Sequence, residues 1–130
     1  MELTHTPTSV TGAAGERRSL ADNRRNALFR LRVNLALQVR AAREPGAAPS
    51  EMWRSRCKGG KIAINPKHED FPAMLAEAMD AIELTRFDTT KAAALLGCSH
   101  SQLIKLLKVE PRALLSVNES RSQAGLKALH

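Results

Sequence analysis

The stretch "LTHTPTSVTGAAGERRSLADNRRNALFRLR", Leu3 to Arg32, decides how the rest of the chain is read. Its first half lays out two short strands, Leu3 to Thr6 and Val10 to Ala13. They flank a turn at Pro7-Thr8-Ser9, where proline fixes its own φ and serine favours turns. The second strand is weak by propensity, because Gly12, Ala13, Ala14 and Gly15 are poor strand formers. Ser19 then offers an N-cap oxygen to a long helix expected from Leu20 to about Arg43. Leu28, Leu31, Leu35 and Val39 recur at helical spacing and define its expected buried stripe. Arg24, Arg25, Arg32, Arg40 and Arg43 fall mostly off that stripe, so the helix can pack on one side and face a polyanion on the other.

Beyond this helix, "EPGAAPS" (Glu44 to Ser50) combines two prolines with a glycine, lacks an apolar period and reads as a linker. The following "EMWRSRCKGGKIAINP" is a basic connector in which Trp53 is expected to pin the segment to a neighbouring surface and Lys61 to Asn65 to form one short strand. From Lys67 the pattern is helical again. Glu69 and Asp70 place negative charge at the start of a helix over Phe71 to Leu84, and Pro72 suits its first turn. Further helices are expected over Thr90 to Leu96, His100 to Lys108 and Pro111 to Gln123. Within them, "TTKAAALLGCSHSQLIKLLK" (Thr89 to Lys108) meets the needs of a helix-turn-helix. Ala93 is small where two helices touch, Gly97 can take positive φ at the turn, and Leu103 and Leu106 lie on the inner face of the second helix. The expected fold class is α+β, mostly helical. Its three parts are a hairpin with a long basic helix over 1–43, a basic Pro/Gly-containing linker over 44–66, and a helix-turn-helix-like unit over 67–130.

Aromatic residues make up only 3% of the 130 residues, so the core must come from Leu, Ala, Val, Ile and Met, which favours helices. Cys57 and Cys98 have no CxxC partner and no His at ligand spacing, so no metal site is expected, nor any cofactor. No apolar run of signal or membrane-spanning length occurs, and the expectation is a cytoplasmic protein without a membrane partner. The net charge of +7 is unevenly placed: 12 Lys/Arg stand against five Asp/Glu up to Lys61, and eight against eight from Ile62 onward. That asymmetry points the first half toward a polyanion through phosphate contacts and counterion release. On the helix-turn-helix, His100, Gln102 and Lys105 form the candidate reading surface, since Gln can pair with adenine and Lys with phosphate or guanine. The unit around them carries no net positive charge, which ranks duplex DNA behind RNA or protein as its partner.

The opening stretch resembles the catalytic domain of the class I peptide chain release factors and their ribosome-rescue relatives. In that family a strand reading roughly R-L-T-H-x-P-T-G leads through a second strand to E-R-S-Q-x-x-N-R/K-x-x-A-L-x-x-L. Leu3-Thr4-His5-Thr6-Pro7-Thr8 matches the first part, and Glu16, Arg17 or Arg18, Ser19, Asn23, Arg24, Ala27, Leu28 and Leu31 match the second. The resemblance covers residues 2–43, and "INPKHEDFPAMLAEAMDAIELTRFDTTKAAALLGCSHSQLIKLLKVEPRALLSVN" also looks like the C-terminal extension of a release-factor-like subgroup. It implies action in translation termination or ribosome rescue, with the ribosome and its RNA as partner and peptidyl-tRNA as a further one. Arg17, Arg18, Arg24, Arg25, Arg32, Arg54, Arg56 and Lys58 are the implied RNA-binding residues, since Arg pairs with phosphate and stacks on unpaired bases.

The family's chemistry depends on a Gly-Gly-Gln loop just upstream of the L-T-H strand, and that strand here begins at Glu2. The resemblance therefore implies peptidyl-tRNA ester hydrolysis only where the natural chain carries such a loop further upstream, and no catalytic residue is assigned among these 130. Gly59-Gly60-Lys61 is no substitute, because it follows the long helix, ends in Lys and reads as a turn. His5 has no evident nucleophile or orienting carboxylate beside it and reads as a packing or hydrogen-bonding residue. Two departures from the pattern are Ser9, where glycine is usual, and Leu20, where glutamine is usual. The alternative reading is a non-enzymatic helix-turn-helix nucleic-acid-binding protein.

Overall fold

A computed structural model describes all 130 residues. Strands β1 (Glu2–His5) and β2 (Val10–Ala13) form an antiparallel hairpin, followed by helices α1 (Leu20–Gln38) and α2 (Glu51–Arg56). A second, minimal hairpin comprises β3 (Cys57–Lys58) and β4 (Lys61–Ile62). Helices α3 (Phe71–Leu84), α4 (Thr89–Leu96), α5 (His100–Val109) and α6 (Pro111–Gln123) complete an α+β, mostly helical fold. No helix is long and apolar enough to cross a membrane.

α1 starts where its cap predicts: the Ser19 side chain accepts the Asp22 N–H at 3.3 Å, and Asp22 sets negative charge in the first turn. It stops at Gln38, short of the expected Arg43. Val39 is already extended, and Arg40 turns back to donate to the carbonyls of Ala36 (2.8 Å) and Leu37 (3.1 Å), satisfying the orphan acceptors of the last turn.

The helix buries two faces rather than the single expected stripe. Ala27 and Leu31 meet β2, while Val33 and Ala36 enter the main core beside α3. Leu28 is 49% exposed and Val39 38%, so the expected stripe of Leu28, Leu35 and Val39 lies largely on the outward face, and only its Leu31 is buried. β2 approaches α1 so closely that a Cβ at Gly12 would stand 2.3 Å from the Leu31 nitrogen and 2.6 Å from the Ala27 oxygen. The glycine that weakens the strand by propensity is what lets hairpin and helix touch backbone to backbone.

A single cluster of 19 buried residues combines Val33 and Ala36 of α1 with Trp53 of α2 and the inner faces of α3 to α6. α1, within residues 1–43, and Trp53, within residues 44–66, contribute side chains to the same core as the helices of 67–130. Trp53 is fully buried, and its indole N–H donates to the Leu96 carbonyl at 2.7 Å. The Pro/Gly stretch before it is stapled to α3 by Glu77, whose carboxylate accepts the Ser50 N–H at 2.8 Å and lies 3.5 Å from Arg43. In place of one strand over Lys61 to Asn65 there is a two-residue turn, with Gly59 and Gly60 both at positive φ, joining β3 to β4.

The helix-turn-helix closes as the sequence predicts. Gly97 caps α4 at φ 69°, with the Cys98 N–H reaching the Ala93 carbonyl (3.1 Å) and the Gly97 N–H the Ala94 carbonyl (3.2 Å). Ala93, Leu103 and Leu106 are buried.

Two substitutions test this packing. Gly12→Ala should destabilise the protein by about 2–3 kcal/mol in chemical denaturation, because the added methyl meets helix backbone that cannot move aside. Ser9 sits at φ 61°, a left-handed conformation that costs a side-chain-bearing residue free energy; Ser9→Gly should raise stability by about 1 kcal/mol in the same measurement.

Candidate nucleic-acid interface

The arginines of α1 differ in how fully the protein neutralises them. Arg30 lies 3.1 Å from Glu16 and donates to the Ala13 carbonyl at 2.9 Å; its hydrogen bond holds the Glu16 carboxyl below the usual range. Arg25 pairs with Asp22 at the surface and remains exposed. Arg17, Arg18 and Arg24 are exposed and form no ion pair. Arg32 donates to the main-chain carbonyl of Glu69 at 2.8 Å, so its charge also lacks a carboxylate partner.

The second basic group sits on α2 and β3. Arg54 and Lys58 are exposed and unpaired. Arg56 lies 3.0 Å from Asp70 and 3.3 Å from the Nε2 of His68. Cys57 pairs with Ile62, and both are partly buried against the core, so the alternation of a strand turns Lys58 and Lys61 to the outer face of the hairpin. Like charges directly opposite across a hairpin repel, and no carboxylate here compensates them.

One member of each group reaches the short segment before α3. Arg32 grips Glu69 from the α1 side and Arg56 grips Asp70 from the hairpin side, while Lys67 between them is exposed. The eight expected RNA-binding residues thus come from the loop before α1, from α1, α2 and β3, and two of them, Arg32 and Arg56, meet at residues 67–70. Lys67 adds an exposed cation on that segment, and Lys61 another on the outer face of the second hairpin. Neither stands out in sequence, because the pairing that turns Lys61 outward and the contacts that hold the Lys67 loop are long-range.

The helix-turn-helix surface is different. The side-chain oxygen of Gln102 accepts the Ile62 N–H at 3.1 Å, and His100 Nε2 lies 2.7 Å from the hydroxyl of buried Thr89. The Ser99 N–H donates to the Gly60 carbonyl at 3.0 Å, which sets the hairpin turn against the start of α5. Of the three residues expected to form a reading surface, Gln102 is half-buried and held by the Ile62 N–H, His100 is exposed with its Nε2 bonded to Thr89, and Lys105 is exposed and without a hydrogen-bond partner. The same contacts join the basic connector to this unit, so the neutral charge of 67–130 is not the charge of the packed body.

Gly59 and Gly60 serve the hairpin turn, and His5 Nδ1 lies 2.7 Å from the Thr8 hydroxyl, a bond internal to the first hairpin. No group of three or more His, Cys, Asp or Glu is placed to hold a metal ion. Cys57 and Cys98 are free thiols at the contact between hairpin and helical turn, where the Cys57 thiol faces the Gly97 carbonyl at 3.4 Å. Burial pushes Cys98 up to about 11, and the neighbouring Cys57 adds to the effect.

Compared with known protein families, curated proteins and solved structures, the chain matches none.

Because the thiolate is the reactive form, Cys98 should alkylate with iodoacetamide at pH 8 at least about ten-fold more slowly than a free cysteine. Its rate should climb with pH until near the value of about 11, which a pH series read by mass spectrometry at that residue would check.

Proposed function

We propose that this protein is a ribosome-associated, release-factor-like RNA-binding protein of the cytoplasm that works in translation termination or ribosome rescue. The observation that carries the reading is that Arg32 of α1 and Arg56 of α2, each from a group of basic residues only partly neutralised by the protein, both bind the segment at 67–70. Arg17, Arg18, Arg24, Arg25 and Arg32 supply one surface, and Arg54, Arg56 and Lys58 the other. A stiff helix and a hairpin tied to one core hold these cations in fixed relation, which suits the spaced phosphates of a folded RNA better than a diffuse charge cloud would. The ordered resemblance of residues 2–43 to the release-factor catalytic domain directs the reading toward ribosomal RNA. Peptidyl-tRNA hydrolysis belongs to it only for a chain that also carries a Gly-Gly-Gln loop, a motif these 130 residues lack.

The helix-turn-helix alternative loses support from the internal bonds of Gln102 and His100, which leave Lys105 as the one candidate side chain without an internal partner.

Sedimentation with ribosomes in rising salt tests the proposal. The protein should pellet with ribosomes at low salt and leave them steeply as salt rises. Arg24→Glu with Arg25→Glu should weaken binding at least about ten-fold and flatten the salt dependence, whereas Lys105→Glu should change it less than about two-fold. A protein that stays in the supernatant at low salt would refute the reading.

A further inference from the structure

Two depressions on the surface meet at Arg32. One is a cleft of about 710 Å³ between α1 and the 67–70 segment, where Arg17, Arg25, Arg32 and Lys67 outnumber Glu16 and Glu69, and Glu16 is already engaged by Arg30. The other is a shallower groove of about 310 Å³ running on from Arg32 between α1 and α3. Leu35, Val39, Pro72, Ala73 and Ala76 give it an apolar lining, His5 on the first hairpin edges it, and Asp80 stands on its α3 side. The Oδ1 of Asp80 accepts the Ala41 N–H at 3.0 Å, and its other oxygen has no partner. Burial pushes the Asp80 carboxyl up, although the Ala41 N–H opposes that shift.

We infer that this composite groove holds one unpaired nucleotide of an RNA, its phosphate against Arg32 and its base on the apolar lining beside His5. The inference rests on the RNA-binding reading above and adds to it the form of RNA preferred. Phosphate contacts alone do not distinguish paired from unpaired strands, but an apolar trough opening from a cationic cleft does. It has nothing to offer a base locked in a duplex, while a splayed base gains stacking on an aromatic ring and burial against aliphatic side chains. An apolar groove by itself would suit a peptide side chain equally well. The run of cations that ends on this one at Arg32 selects a ligand with a charged backbone and an apolar face. The free oxygen of Asp80 is an acceptor suited to the exocyclic amine of cytosine or adenine.

The test uses the full chain and two labelled RNA hairpins that differ only in one bulged cytidine, with binding read by fluorescence anisotropy at low salt. The bulged RNA should bind about ten-fold more tightly than the fully paired one. His5→Ala and Val39→Ser, each confirmed as folded by thermal melting, should erase that preference and leave affinity for the paired RNA within about two-fold. Equal binding of the two RNAs by the unaltered protein, or a preference that survives both substitutions, overturns the nucleotide subsite while the basic surface stands. Failure to bind either RNA overturns both.

Discussion

One helix burying two faces governs the rest of the structure. α1 must meet the first hairpin with Ala27 and Leu31 and α3 with Val33 and Ala36, and these pairs project on different sides of its axis. With both sides occupied, Arg24 and Arg32 share the outward face with apolar residues left out of the core. Arg24, Leu28, Arg32, Leu35 and Val39 therefore lie along one exposed or half-exposed strip, where charge and apolar surface alternate. The contact with the hairpin depends on Gly12, since any side chain there would force the two backbones apart and expose the apolar residues between them.

A second constraint joins the basic connector to α4. Trp53 brings the basic connector into the main core through burial and through its indole hydrogen bond to Leu96, the last residue of α4. A buried indole N–H without an acceptor would carry a desolvation penalty of about 1–3 kcal/mol, so this bond fixes where the connector docks as well as that it docks. The minimal hairpin that follows is set against the α4–α5 turn by Gly60 and Gln102, and its outer face carries Lys58 and Lys61. Gln102, which fastens the hairpin, is one of the residues that would otherwise make the helix-turn-helix a reader of bases. Structural use and recognition compete for the same side chains, and here the internal bonds hold them.

The cations divide by partner. Arg30, Arg43 and Arg112 are met by Glu16, Glu77 and Glu110 and serve the fold. Arg17, Arg18, Arg24, Arg54 and Lys58 meet no carboxylate, and all are exposed. A protein that spends few acids on one surface keeps that surface attractive to phosphate at the cost of some self-repulsion, as the facing Lys58 and Lys61 illustrate.

Much of the secondary structure was legible in the sequence because its signals are local. Ser19 caps α1, Pro72 and Pro111 sit in the first turns of their helices, and Gly97 takes the left-handed conformation that ends α4. The excess of basic residues in the first half was equally plain. What the sequence could not disclose was which faces meet. The spacing of Leu28, Leu35 and Val39 is that of a buried stripe, yet burial on α1 goes to Leu31 and to Ala27, Val33 and Ala36, which are small enough to let other backbones approach. The linker-like composition of residues 44–66 did not reveal that Glu77 and Trp53 fasten the segment to the core. Sequence by itself determined where most helices start and how much positive charge the chain carries, though not that α1 stops at Gln38 or that Glu51–Arg56 is helical. Tertiary structure alone decided which arginines are left without partners and that two basic segments meet beside an apolar groove, because both depend on contacts between residues tens of positions apart.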